Sequence, residues 1–155
     1  MSIDKDINEN TSLSSLKTAL KFTMPFGMLS AVFFFTMDIL GQTLWKGYNP
    51  ITTYISALTA AGAPNAVLLR VISNINYICL LIFTAGMSVI SFIKRRISWR
   101  FGYCSLFIMS LISIIGFDTF PMTTDYIVSL QNIIHIIITA SIACITIIAI
   151  VPMLL

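Results

Sequence analysis

Four ionisable residues stand apart in this largely apolar chain, namely Asp38, Arg70, Asp118 and His135. A guanidinium, two carboxylates and an imidazole can bind a charged group or exchange a proton. Ionisable side chains are costly in lipid, so they usually face the interior of a helix bundle and find partners there. We therefore expect one polar ligand-binding pocket, with Arg70 paired to Asp38 or Asp118 and His135 beneath them.

The composition indicates a membrane protein. Of the 155 residues, 57% are hydrophobic and 10% are charged, and the mean hydropathy is +0.95. Soluble domains carry about 25% charged residues, so this chain is suited to a lipid environment. The net charge of +3 depends on a basic cluster, residues 94–100 (KRRISWR). No aromatic pattern suited to base stacking accompanies the cluster, so we exclude nucleic acid as a partner.

Four apolar segments are long enough to cross a bilayer, since about 20 residues suffice. They predict an all-α, polytopic transmembrane bundle with helices at about residues 22–44, 66–93, 101–117 and 126–155. Residues 1–16 are polar and predict a flexible cytoplasmic tail, disordered or loosely helical, ahead of a membrane domain at 17–155. Polar residues recur along one face of the predicted second helix. Packing between helices explains three of them, Thr84, Ser88 and Ser91.

The basic residues predict the orientation. By the positive-inside rule, KRRISWR faces the cytoplasm, and Lys17 and Lys21 agree with this. Four spans then return both termini to the cytoplasm, in a multi-pass protein of the plasma membrane or bacterial inner membrane. By helix rise, all four ionisable residues fall in or near the outer half of the bilayer.

The first outer loop, Gly47–Asn65 (GYNPITTYISALTAAGAPN), is rich in hydroxyl groups and bounded by proline and glycine. It predicts a short helical or re-entrant cap, with Thr52 or Thr53 near its N-cap, that closes over the pocket. Residues of the two outer loops are expected to support the pocket: Tyr48, Asn49, Pro50, Thr53, Ser56, Phe120 and Pro121.

Other interpretations of the same residues stay open. Asp38 and Asp118 could lie in water at the interface, and His135 could be bonded to a backbone carbonyl. Ser56 or Thr53 could act as a nucleophile with His135 as base, although no G-x-S-x-G motif surrounds Ser56. Proton coupling through Asp38 and His135 is chemically feasible. A metal site is not predicted, because one histidine and distant carboxylates have no ligand spacing.

The loop motifs carry a resemblance to a known family. Gly47–Asn65 is similar to the Tyr-Asp/Asn-Pro-x-x-x-x-Ile-Ser pattern of domain-of-unknown-function family 998, and Phe120-Pro121-Met122 and His135 follow in the same order. The family often has glutamate where this chain has Ala57. It usually looks like a six-helix protein, and the uncharged end Val151–Leu155 also favours a short version of a longer protein. The resemblance implies an uncharacterised polytopic membrane protein.

Our leading hypothesis is a membrane protein with an outward-facing polar pocket for a lipid headgroup or small amphiphile. It requires no cofactor, and we favour binding over catalysis. The alternatives are an intramembrane hydrolase or transferase acting on a lipid-linked substrate, and a structural or assembly subunit. Membrane lipids are the expected partners, with a homo-oligomer or a partner membrane subunit as further options.

Overall fold

The computed structural model describes residues 3–93, 96–123 and 129–154. This part of the chain contains four α-helices and a 3-10 helix, Ile55–Thr59. Each α-helix includes a segment long and apolar enough to cross a membrane. The predicted all-α bundle of four spans with a short helical cap is therefore confirmed. The α-helices are α1 (Ile3–Leu44), α2 (Ala66–Ile93), α3 (Ile97–Thr119) and α4 (Leu130–Leu154).

Helix α1 begins at Ile3, well before the predicted start near Phe22. Residues 3–16 of the polar segment, which was expected to be disordered or loosely helical, are part of α1, because extending an existing helix costs far less than nucleating one. Pro25 consequently lies inside α1, not in its first turn. Its missing N–H leaves one carbonyl of the preceding turn without its usual donor.

The other helix boundaries follow the apolar segments. Helix α2 has the predicted bounds, whereas α3 begins at Ile97 and ends at Thr119, a few residues beyond the predicted 101–117 at each end. Helix α4 is described from Leu130. The predicted start of the fourth helix near Tyr126 lies outside the described residues, as do Lys94 and Arg95 of the basic connector.

The four helices pack as an open arc. Helix α1 packs on α2, α2 on α3 and α3 on α4, and no contact between α1 and α4 is found among the described residues. Glycines bring neighbouring helices close together. A Cβ atom added at Gly86 would lie 2.6 Å from the side chain of Thr23, and one added at Gly102 would lie 2.8 Å from the carbonyl oxygen of Ala149. The arc leaves a gap between its first and last helices.

Buried polar pairs join the helices within the apolar layer. Ser30 of α1 donates a hydrogen bond of 2.7 Å to the side-chain oxygen of Asn76 on α2. The hydroxyls of Thr84 on α2 and Ser110 on α3 lie 3.1 Å apart. Interhelical hydrogen bonds of this kind are typical of membrane bundles, as the polar stripe on the second helix predicts.

We call the end of the bundle that carries residues 45–65 the cap end and the opposite end, at residues 94–96, the connector end. The cap is packed into the bundle by Leu58, which is fully buried against Met37 and Leu69. The main-chain N–H of Ala61 donates to the carbonyl of Met122 at 3.0 Å, in a short parallel bridge to the loop after α3. The two loops of the cap end therefore form one connected layer.

The short helix begins close to the predicted threonines. Its N-cap is Tyr54, the residue after Thr53, and Tyr54 makes no side-chain capping bond. The turn before it is stabilised by Asn49, whose side-chain oxygen accepts from the N–H of Ile51 at 2.9 Å. This Asx turn satisfies the backbone early and moves the helix start beyond both threonines.

Candidate functional site

A polar cavity of about 100 Å³ lies directly under the cap. Three of the four predicted pocket residues line it, each from a different helix: Arg70 from α2, Asp118 from α3 and His135 from α4. A single water occupies about 30 Å³ in the liquid, so the cavity has room for a few waters or a small polar group. The remaining lining residues are Thr59, Ser73, Asn74, Tyr77, Phe117, Pro121 and Met122.

Arg70 lies one turn into α2 and is half-buried. Its Nε donates to the main-chain carbonyl oxygen of Thr59 in the cap at 2.7 Å. Its Nη2 is buried and has no hydrogen-bond partner. We expected a carboxylate to hold this guanidinium, but a cap carbonyl fills that role. A carbonyl satisfies one donor without neutralising the charge, so Arg70 keeps its positive charge and a free donor.

His135 is 5% exposed and lies one to two turns into α4. Its Nδ1 lies 2.9 Å from the carbonyl oxygen of Phe120. A carbonyl oxygen can only accept, so Nδ1 carries the proton of this bond. Its Nε2 is buried and unpartnered. The ring also packs on Phe117 at a centroid distance of 5.0 Å.

These two free nitrogens distinguish the cavity from the rest of the interior. Within the described chain, three buried side-chain nitrogen or oxygen atoms have no hydrogen-bond partner, and two of them belong to Arg70 and His135. The third belongs to Arg100, at the connector end. Buried polar groups are normally satisfied, so two unsatisfied ones around one cavity indicate a place for a ligand or water.

Asp38 is the predicted pocket residue that does not line the cavity. Its carboxylate accepts from Nε2 of Gln42 on the same helix at 2.9 Å. Asp38 and burial together raise the pKa of the nearby Tyr48 phenol, with burial the larger cause. Asp38 was predicted to join the pocket, but it is not among the residues that line the cavity, and its contacts are with Gln42 and Tyr48.

The predicted supporting residues have separate roles. Tyr48 donates to the carbonyl of Thr53 at 3.3 Å, and Asn49 and Pro50 form the turn before the short helix. Phe120 accepts from His135, and Pro121 lines the cavity. Thr53 lies outside the cavity lining. The cap group that contacts Arg70 belongs to the main chain and is the carbonyl of Thr59.

Ser56 lies in a neighbouring side pocket of about 260 Å³, which His135 and Met122 also line. Its hydroxyl donates to the sulfur of Met122 at 3.0 Å. The imidazole of His135 is oriented by a carbonyl, whereas a serine triad uses a carboxylate for that purpose. Neither of these contacts is one that a serine triad makes.

A larger groove of about 470 Å³ runs down from the cavity between the helices. It shares four lining residues with the polar cavity: Thr59, Ser73, Tyr77 and Phe117. Sequence reasoning did not identify Ser73 or Phe117 as lining residues. The spacing of Ser73 and Tyr77 from Arg70, at i+3 and i+7, was a usable signal for α2.

Among the described residues no group of three or more histidine, cysteine, aspartate or glutamate side chains could hold a metal ion. Fold and site together define a polytopic membrane protein with a small polar cavity at one end of its bundle. The chain matches the family described as protein of unknown function DUF998 over residues 28–155, and it belongs to that family. No curated protein and no solved structure matches it.

Proposed function

We propose that the protein binds the phosphate-bearing headgroup of a membrane amphiphile in the polar cavity. The observation that carries this proposal is the pair of buried, unpartnered nitrogens, Nη2 of Arg70 and Nε2 of His135. A guanidinium is suited to phosphate because its planar N–H groups match two oxygens at once. A histidine Nε2 can donate to a phosphate oxygen when protonated or accept from a P–OH group when neutral.

The depth of the cavity supports a headgroup as the ligand. Helix α2 has 28 residues and is therefore about 42 Å long. This length matches the ~40–45 Å of a bilayer with its headgroup layers. Arg70 lies four residues, or about 6 Å, inside the cap end of that helix. At that depth its guanidinium can reach the headgroup layer, where lipid phosphates are found.

Charge favours an anionic or zwitterionic group. Arg70 brings a positive charge, and the hydrogen bond of its Nε goes to a neutral carbonyl of the cap. Asp118, which is exposed at the rim of the cavity, can pair with the amine of a zwitterionic headgroup. By the positive-inside rule, the basic connector at the other end of the bundle supports a cavity that faces the outer side of the membrane. We propose that orientation, with both termini cytoplasmic.

The observed contacts favour binding over hydrolysis of a lipid-linked substrate. Ser56 and His135 share the side pocket, but the hydroxyl of Ser56 is bonded to the sulfur of Met122. A purely structural or assembly role has no comparable use for two free buried nitrogens beside a cavity. It predicts that changing them alters stability alone.

The test is lipid retention. Wild-type protein, Arg70→Gln and His135→Asn are purified in mild detergent, and bound phospholipid is quantified by mass spectrometry of the extract. Loss of a charge-assisted hydrogen bond costs about 1.5–3 kcal/mol, so Arg70→Gln should weaken binding about tenfold or more. His135→Asn should weaken it less.

The matched control is Arg100→Gln, which removes a positive charge at the connector end, where Arg100 bonds the carbonyl of Phe92. This variant should retain wild-type lipid. Equal retention by all four proteins would refute headgroup binding in the cavity.

A further inference from the structure

We infer that the groove between α1 and α4 holds one hydrocarbon chain of the same amphiphile, which enters sideways from the membrane. The inference rests on the proposed function and adds a tail site and an entry route to it. Its basis is the continuity of the groove with the polar cavity, through Thr59, Ser73, Tyr77 and Phe117. A ligand with its phosphate beside Arg70 therefore has an adjoining path into the bilayer.

The groove is open towards the membrane. Its walls come from all four helices, from Ala31 on α1 to Ile142 on α4, with the cap above it. Since α1 and α4 make no contact in the described chain, no helix described here closes the gap between these two walls. A lipid can therefore move its chain into the groove without leaving the leaflet.

The length of the groove matches one leaflet. On α1 the lining residues run from Gly27 to Met37, ten residues or about 15 Å along the helix. On α3 they run from Met109 to Phe117, about 12 Å. The hydrocarbon core of a bilayer is about 30 Å thick, so one leaflet supplies about 15 Å. A chain anchored at the cavity would end near the bilayer midplane, as an acyl chain does.

The groove also presents an apolar surface although polar residues line it. The hydroxyl of Ser30 is bonded to Asn76, and that of Ser113 donates to the carbonyl of Met109 at 2.9 Å. These hydroxyls are satisfied within the protein, in contrast to the free nitrogens of the cavity above. A hydrocarbon chain thus leaves them with their partners. The volume of about 470 Å³ is within the range of small-molecule sites.

The pairing of the two cavities defines the ligand class. The polar cavity of about 100 Å³ is too small for more than a compact headgroup, and the adjoining groove adds about 470 Å³. The ligand is therefore a phosphate-bearing lipid of the leaflet at the cap end, with one chain in the groove. A second chain, where there is one, stays in the surrounding bilayer.

The experiment uses full-length protein in phospholipid vesicles and dodecyl phosphate carrying a photoreactive diazirine at its chain end. After illumination, labelled peptides are identified by mass spectrometry. We expect labelling of residues 27–37 of α1 or of Ile142, competed by unlabelled dodecyl phosphate but not by dodecanol. Ala31→Phe, which fills the groove, should abolish the labelling. The matched variant Val32→Phe changes a lipid-exposed neighbour that does not line the groove and should leave it intact.

The outcomes separate this inference from the proposed function. Labelling spread over lipid-facing residues and unaffected by Ala31→Phe, with lipid retention still dependent on Arg70, would overturn the groove and leave headgroup binding standing. Groove labelling that persists unchanged in Arg70→Gln would support a chain site and count against the headgroup. A groove that stays unlabelled in the wild-type protein would overturn the inference.

Discussion

Nδ1 of His135 and the carbonyl oxygen of Phe120 lie 2.9 Å apart, and this contact ties α4 to the loop that follows α3. Because of this contact, the two ring nitrogens have different roles. Nδ1 holds the loop in place, whereas Nε2 is left without a protein partner beside the cavity. One side chain therefore contributes to the stability of the cap end and to the chemistry of the cavity, and the two contributions can be separated by substitution.

The first prediction compares His135→Asn with His135→Leu. The asparagine amide can replace Nδ1 as donor to the Phe120 carbonyl, and leucine cannot. Both variants lose the ring contact with Phe117, so the difference between them reports the hydrogen bond. Leaving a part-buried carbonyl without its donor costs up to about 1–3 kcal/mol, and His135→Leu should be less stable than His135→Asn by an amount in that range. Unfolding in mixed micelles of increasing SDS fraction measures it. Equal stability would show that the contact contributes nothing.

The second prediction concerns the approach of α3 to α4. A Cβ atom at Gly102 would meet the side chain of Met153 and, at 2.8 Å, the carbonyl oxygen of Ala149. A backbone atom can move away only if the helices separate. At Gly27 the three nearest atoms all belong to the ring of Phe83, which can rotate. Gly102→Ala should therefore destabilise the protein by about 1–3 kcal/mol, and Gly27→Ala by less.

Thermal loss of helicity in detergent, followed by circular dichroism, compares the two glycine variants. The double variant Gly102→Ala, Met153→Ala serves as the control. It should recover only part of the loss, because the Ala149 carbonyl remains in the way. Full recovery would mean that the backbone contact is unimportant.

The third prediction concerns the raised pKa of Tyr48. Burial is the larger cause and the charge of Asp38 the smaller one. Asp38→Asn should therefore lower the Tyr48 pKa towards its ordinary value of 10.0 without reaching it. Because the folded-state pKa is the higher one, the neutral phenol stabilises the fold below the ordinary pKa. That stabilisation is lost as the pH rises through the folded-state pKa.

Titration of [13Cζ]tyrosine-labelled protein by NMR gives the Tyr48 pKa, and Tyr48→Phe assigns its signal. The stability of Asp38→Asn should depend less steeply on alkaline pH than that of the wild type. A Tyr48 pKa that stays the same or rises in Asp38→Asn would contradict the assignment of Asp38 as a cause.

The membrane spans could be predicted from the sequence because they depend almost entirely on the length and hydropathy of each apolar segment. Helix α2 has the predicted bounds, since Pro64 precedes it and basic residues follow it. The start of α1 was missed because a helix can continue into polar sequence once the apolar segment has formed it. Composition shows which apolar segment of the chain must be helical. It does not show how far the helix extends beyond that segment.

The site was predicted in part, for a related reason. Depth in the membrane was enough to predict that three residues lie together, because each is near the cap end of its helix. These residues are Arg70, Asp118 and His135. Asp38 lies at a similar depth, but its position around α1 decides its surroundings. Large apolar side chains such as Phe34, Phe35 and Ile39 are exposed on that helix, so the apolar pattern did not define one inward face. The contact made by the Thr59 carbonyl could not be predicted from the sequence, because every residue carries a main-chain carbonyl.

The open arc has a consequence for the way the protein is made. Each helix packs on its neighbours in the chain, so almost all of the described tertiary structure consists of consecutive helical hairpins. Such local contacts form quickly and need little loop closure. The α1–α2 hairpin, with the buried Leu58 holding its cap, can therefore assemble before α3 has left the ribosome. The bridge from Ala61 to Thr123 joins the two loops only after α3 has inserted. The polar cavity, which needs residues from α2, α3 and α4, is thus the last feature to form during synthesis.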